Sequence, residues 1–262
     1  MSEAVAAGGA PARPAQLFDY LLRIADTSLV LAQRLGEWIG HAPAIEEDLG
    51  FANTALDLLG QARLLFAYAA EVEGRGRSED DLAFLREEAD YRNATLAELP
   101  NGDFGDTIVR QFLIDAYQIV LYGGLRKSRD ARLAEIAAKA LKETRYHLRY
   151  SSNWLVRLGD GTEESHARVQ ASLDRFWPHT AEFFDADDLD RAVTGAGIAP
   201  PVQDLRADWL RQIEPVLAEA TLQRPPDAAH RWYGKQGRHS EHLGHLLADL
   251  QYLQRAHPGA RW

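Results

Sequence analysis

Cysteine is absent from this chain of 262 residues. That excludes disulfides, thiolate metal sites and a cysteine nucleophile, and sits easily with a cytoplasmic location. No stretch reaches the ~20 apolar residues that a membrane-spanning helix needs. A basic stripe is also missing, and with a formal net charge of -10 the overall field repels phosphate, which excludes nucleic acid as a partner. There is no nucleophile elbow, phosphate-binding glycine loop or dinucleotide fingerprint. Gly234-Lys235-Gln236-Gly237 lacks both the leading glycine and the preceding strand of a phosphate loop. The N-terminus has neither a basic start nor an apolar core, so it does not read as a secretory signal. Its Ala, Gly and Pro content predicts a floppy segment over residues 1–15.

What is present is helical periodicity. Phe18, Leu21, Leu22, Ala25, Leu29, Ala32, Leu35 and Ile39 form one stripe, predicting a first helix over 17–39. Further helices are expected over about 45–72, 80–99, 104–126 and 130–158. Thr162 caps another running to about 184. Residues 187–192 form at most a short turn. Two more helices, over 202–222 with Pro215 as a kink and over 240–256, complete the chain. No strand pattern and no domain-separating linker is visible. The expected fold is all-α: a ferritin-like four-helix bundle made of two long helix pairs, with additional C-terminal helices, in one domain over 16–262.

Four acidic residues fall on the four long helices: Asp26, Asp57, Asp115 and Glu143. Asp115 shares a stripe with Ile108, Phe112, Ile119 and Tyr122, and Glu143 shares one with Ile136, Ala140, His147, Tyr150 and Trp154. A charge on a mainly apolar face is costly unless it is paired or bound to metal. Carboxylate-bridged di-iron bundles justify such residues with a Glu from each of two helices and Glu-x-x-His from each of the other two. Here the second parts read Asp57-Leu58-Leu59-Gly60 and Glu143-Thr144-Arg145-Tyr146, so Gly60 and Tyr146 stand where the ligand histidines are expected. The pattern is that of a degenerate di-iron site. Arg63, Arg110, Arg145 and Arg149 are near enough in sequence to hold the carboxylates instead.

On the second helix, Gly50, Thr54, Asp57 and Gln61 share a face of small and uncharged residues. That face reads as a buried polar seam at least as readily as a solvated one. Glu143 and His147, at i, i+4, are either a metal pair or a satisfied structural pair, and the structural reading is favoured. His242 and His245, in the His239–His245 cluster, offer a weaker surface alternative without a defined fourth ligand.

Several runs resemble the C subunit of bacterial phenylacetyl-CoA 1,2-epoxidase. They include Leu56-Asp57-Leu58-Leu59-Gly60-Gln61-Ala62-Arg63, Lys142-Glu143-Thr144-Arg145-Tyr146-His147-Leu148-Arg149-Tyr150, Ala181-Glu182-Phe183-Phe184-Asp185-Ala186-Asp187, and the tail with Tyr252-Leu253-Gln254-Arg255 and Trp262. The resemblance implies a multicomponent NADPH-dependent monooxygenase of phenylacetate catabolism. Its di-iron centre lies in the catalytic A subunit. The reductase component carries flavin and iron-sulfur, and accessory subunits complete the hetero-oligomer. The C subunit is then a structural component without catalytic residues, cofactor or metal of its own. The competing expectation is an autonomous metal-binding ferritin-like oxidoreductase. Some of Trp38, Phe51, Phe66, Trp154, Trp177, Phe183 and Phe184 are expected to anchor the partner interface.

Overall fold

In the computed structural model, residues 13–260 are described. Most of the expectation for residues 1–15 therefore lies outside the described residues, although helix α1 already begins at Pro14 and runs to Gly36. Proline suits that first turn, since its missing N–H has no partner there anyway. Helix α2 spans Ile45–Glu73 and ends on Gly74 in the left-handed region. Helices α5 (Phe104–Leu125) and α6 (Ala131–Gly159) are capped by the Asp103 and Asp130 side chains. α1 packs along α2 and α5 along α6, and α2 also lies against α6. This is the expected bundle of two long hairpins. Among the described residues there is no strand, only an isolated bridge between Tyr233 and Arg238.

The chain departs from its periodicity between the hairpins. A single helix over 80–99 is expected, but α3 (Glu79–Phe84) stops early. A 3-10 turn over Glu88–Asp90 and the short α4 (Thr95–Glu98) follow. The reason is tertiary. Arg86 turns into the core, where its guanidinium grips both oxygens of Asp26 and lies 4.2 Å from the centre of the Tyr91 ring. The extended backbone beyond it donates from Arg92 N to Asp26 Oδ2 at 2.8 Å and from Ala94 N to Thr27 Oγ1 at 3.1 Å. A continuous helix could not offer those amides to α1.

Helix α7 (Glu163–Phe176) also ends before 184. Pro178 lies in a 3-10 turn, Trp177–Thr180, and α8 (Ala181–Phe184) resumes beyond it. The turn expected near 187–192 is a true helix, α9 (Asp188–Gly195), capped by Asp187. Pro215 lies inside the continuous α10 (Leu205–Glu219). The final helix is α11 (Glu241–Ala256).

These later elements fold back onto the bundle through buried charge. Arg23 of α1 meets Asp190 at 2.9 Å and Asp187 at 2.6 Å, and Lys235 Nζ reaches Asp190 at 3.3 Å. The Glu182 carboxylate accepts from Thr95 N and Lys235 N. Phe51, Phe66, Trp177, Phe183 and Phe184 are buried, while Trp38 and Trp154 pack edge-on against Phe104. The aromatics expected at an interface thus belong to the core, where a fully buried large side chain contributes roughly 1.5–3 kcal/mol.

Candidate functional site

The polar residues of the long helices converge on one seam. On α2 they are Thr54, Asp57 and Gln61; on α5, Gln111, Asp115 and Tyr122; on α6, Glu143, His147 and Ser151. Each set advances by threes and fours and so keeps to one side of its helix. The small, uncharged face of α2 is indeed the inward one, with Thr54 and Gln61 buried. Gly50 leaves room there for Tyr150 of α6, whose hydroxyl oxygen would stand 2.9 Å from a Cβ and have to shift.

Two hydrogen-bonded groups make up the seam. In the first, His147 Nε2 lies 3.0 Å from Asp57 Oδ2, the imidazole fully buried and the carboxylate 41% exposed. Below it, Asp115 accepts from Gln111 Nε2 at 2.7 Å and from Ser151 Oγ at 2.8 Å. Burial pushes the Asp115 carboxyl up to about 6, although the neighbouring His147 and these two donors oppose the rise. In the second group, the Tyr122 hydroxyl donates to Gln61 Oε1 at 3.1 Å, and Gln61 Nε2 donates to Glu143 Oε2 at 3.0 Å. Burial raises the Tyr122 phenol to about 12, keeping it a neutral donor.

Three of the four carboxylates, Asp57, Asp115 and Glu143, therefore lie along this seam, each with its own hydrogen-bond partner. Asp26 stands apart: it is wholly buried on α1 and closed by Arg86 and Arg92 N. The seam also runs out of step with the frames 57–60 and 143–146. A Cβ on Gly60 would touch nothing within 4 Å, and Tyr146 is 49% exposed beneath Arg149. Both positions look outward, and the inward nitrogen is His147. Glu143 pairs with Gln61 rather than with His147.

None of the four arginines singled out by sequence holds a seam carboxylate. Arg63 reaches Glu79, and Arg149 covers the Tyr146 ring. Arg145 makes no ion pair among the described residues. Arg110 donates to Leu99 O and Asn101 Oδ1, and burial, then the nearby Arg34, pull it down to about 9. Arg86, Gln111 and Ser151 were not singled out by sequence, whereas Gln61 belongs to the small, uncharged face of α2 that was. Gln111 precedes Asp115 by four residues and Ser151 follows His147 by four, which was a usable signal; Arg86 carried none.

The C-terminal cluster is likewise divided. His239 is buried against Glu98 Oε2 at 2.8 Å, whereas His245 is exposed and His242 offers only its backbone oxygen, to Arg34. Among the described residues no three His, Asp or Glu side chains are grouped to hold a metal ion. The donors of the seam do not fit a pair of irons. Both Asp115 oxygens are taken by Gln111 and Ser151, Glu143 is held by Gln61, and only one imidazole is present. What the seam can do is lock α2, α5 and α6 in register.

Over residues 4–262 the sequence matches the family described as "Phenylacetic acid catabolic protein". The chain belongs to that family. It is 53% identical over 247 residues to the C subunit of 1,2-phenylacetyl-CoA epoxidase from Escherichia coli (strain K12), covering 94% of this chain and 99% of that protein. It is also 24% identical over 177 residues to the A subunit of 1,2-phenylacetyl-CoA epoxidase from the same organism, covering 68% of this chain and 56% of that protein. Among the described residues no helix is long and apolar enough to cross a membrane.

Proposed function

We propose that this chain is the C-type component of a phenylacetyl-CoA epoxidase. In that role it is a metal-free structural partner of a di-iron A-type bundle in cytoplasmic phenylacetate catabolism. Identity of 53% along 99% of the C-type relative supports the complex. The observation that carries the structural role is the seam, whose carboxylates are satisfied by Gln61, Gln111, Ser151 and His147 where a working centre needs open ligands. Weaker similarity to the A-type relative fits two paralogous bundles, one of which keeps the metal. The epoxidation chemistry then belongs to the A-type iron, supplied with electrons by the reductase component.

The test is co-expression with an A-type partner from the same source, followed by size exclusion and an epoxidation assay with reductase and NADPH. The reading expects co-elution, turnover by the complex, and none by this chain alone. Separate elution at low micromolar concentration contradicts it.

A further inference from the structure

Helix α2 has two apolar sides, and only one of them is used within the chain. Its inner side carries Leu58, Ala62 and Leu65, all buried. Its outer side carries Ile45, Leu49, Ala52, Leu56 and Leu59, which on a 3.6-residue repeat fall within about a quarter of the circumference. The four large side chains are exposed, Leu56 by 65%. The stripe extends over roughly 21 Å at 1.5 Å per residue. On a surface helix this arc is ordinarily charged, and a continuous exposed apolar row marks an interaction surface. At Gly60, beside the stripe, nothing lies within 4 Å of a Cβ position, so another backbone can approach closely.

The charge around the stripe selects the occupant. The first turn of α2 is acidic, with Glu46, Glu47 and Asp48, whereas its neighbour α6 exposes Lys139, Lys142, Arg145 and Arg149 against the single acid Glu135. Lys142 and Arg145 make no ion pair among the described residues. A second copy docked with its α2 antiparallel sets basic edge against basic edge, which is unfavourable.

We propose that the outward stripe of α2, bordered by the basic edge of α6, is the docking surface for the A-type bundle. The opposing helix of that bundle is apolar along its centre and acidic where it meets α6. This rests on the hetero-oligomeric reading above and names its surface.

The test compares three double variants co-expressed with the A-type partner: Leu49→Glu with Leu56→Glu, Lys142→Glu with Arg145→Glu, and a control on α11, Tyr252→Glu with Leu253→Glu. Titration should show the first weakened by roughly 100-fold or more and the second by about tenfold with a flattened salt dependence. The control should bind like wild type. All three change exposed side chains, and circular dichroism checks that each keeps the wild-type melting point. If wild type forms the complex and the first variant binds as tightly, the docking surface is wrong while the proposed function stands. If wild type does not bind at all, the proposed function itself fails. If instead the free chain is a dimer that only the first variant dissociates, with the hetero-complex untouched, the stripe is a self-interface and the proposal is overturned.

Discussion

Replacing Asp26 by Asn should be among the most damaging single changes this chain can suffer. Asp26 and Arg86 have side-chain exposures of 0% and 4%, so the guanidinium has no route to water if its counter-charge is removed. Removing one member of a buried pair costs about 3–5 kcal/mol, because the remaining charge is uncompensated. Asn retains one oxygen for Arg92 N and Arg86 Nη1 but sets its amide nitrogen against Arg86 Nη2, so the counter-charge and one hydrogen bond are lost together. At roughly 2–4 °C per kcal/mol for a chain of this size, the melting temperature should fall by about 6–20 °C. Thermal unfolding followed by circular dichroism at pH 7 reads it. The double variant Asp26→Asn with Arg86→Met should recover most of the loss, since it removes the stranded charge while Asn still accepts from Arg92 N. A single Asn variant melting within about 2 °C of wild type would show that water or another anion reaches Arg86, and the account of the 79–99 segment would fall with it.

Glu143→Ala should cost much less, about 1 kcal/mol, because the carboxylate is only part-buried and its main partner is the neutral Gln61; urea titration showing 3 kcal/mol or more refutes this. Asp115 has a folded pKa raised to about 6, so its contribution is fully present below the unfolded value near 4 and is lost as pH rises through 6. Relative to Asp115→Asn, wild type should therefore lose up to about 3 kcal/mol between pH 4 and 7, and a flat difference contradicts the burial argument. His239 behaves with opposite chemistry but the same sign. Burial works against its charge, yet Glu98 more than offsets this and raises the pKa, so the stabilisation should be lost as pH climbs above 6.5; a His239→Gln difference curve without a step there opposes it. Gly159→Ala should destabilise by about 1–3 kcal/mol, because its Cβ would lie 2.4 Å from Ala220 O, whereas Gly60→Ala in the free chain should be neutral or stabilising.

The long helices were legible in the sequence because each carries an unbroken apolar stripe longer than four turns and clear stop signals such as Gly74. The 79–99 segment was not. No glycine or proline interrupts it between Leu85 and Leu99, and only the demand of Asp26 for Arg86 and Arg92 N breaks the helix. Asp57, Asp115 and Glu143 could be assigned to one seam because each falls on a long helix of the expected bundle, but the same reasoning included Asp26, which Arg86 holds elsewhere. Rotation was harder to read: a shift of one residue turned Gly60 and Tyr146 outward and His147 inward. Helix α2 was ambiguous because two of its sides are apolar, one buried against the bundle and one exposed. Periodicity alone cannot say which side faces in, and the small polar residues beside Tyr150 were the better guide.

The central claim is that the chain is a metal-free partner of an iron-bearing bundle. Elemental analysis tests it most directly, on the chain purified alone and on its complex with the A-type partner, both expressed in iron-replete medium. The account predicts no stoichiometric iron in the chain alone and about two irons per heterodimeric pair in the complex. Near two irons in the isolated chain, with turnover of phenylacetyl-CoA when reductase is added, would contradict it.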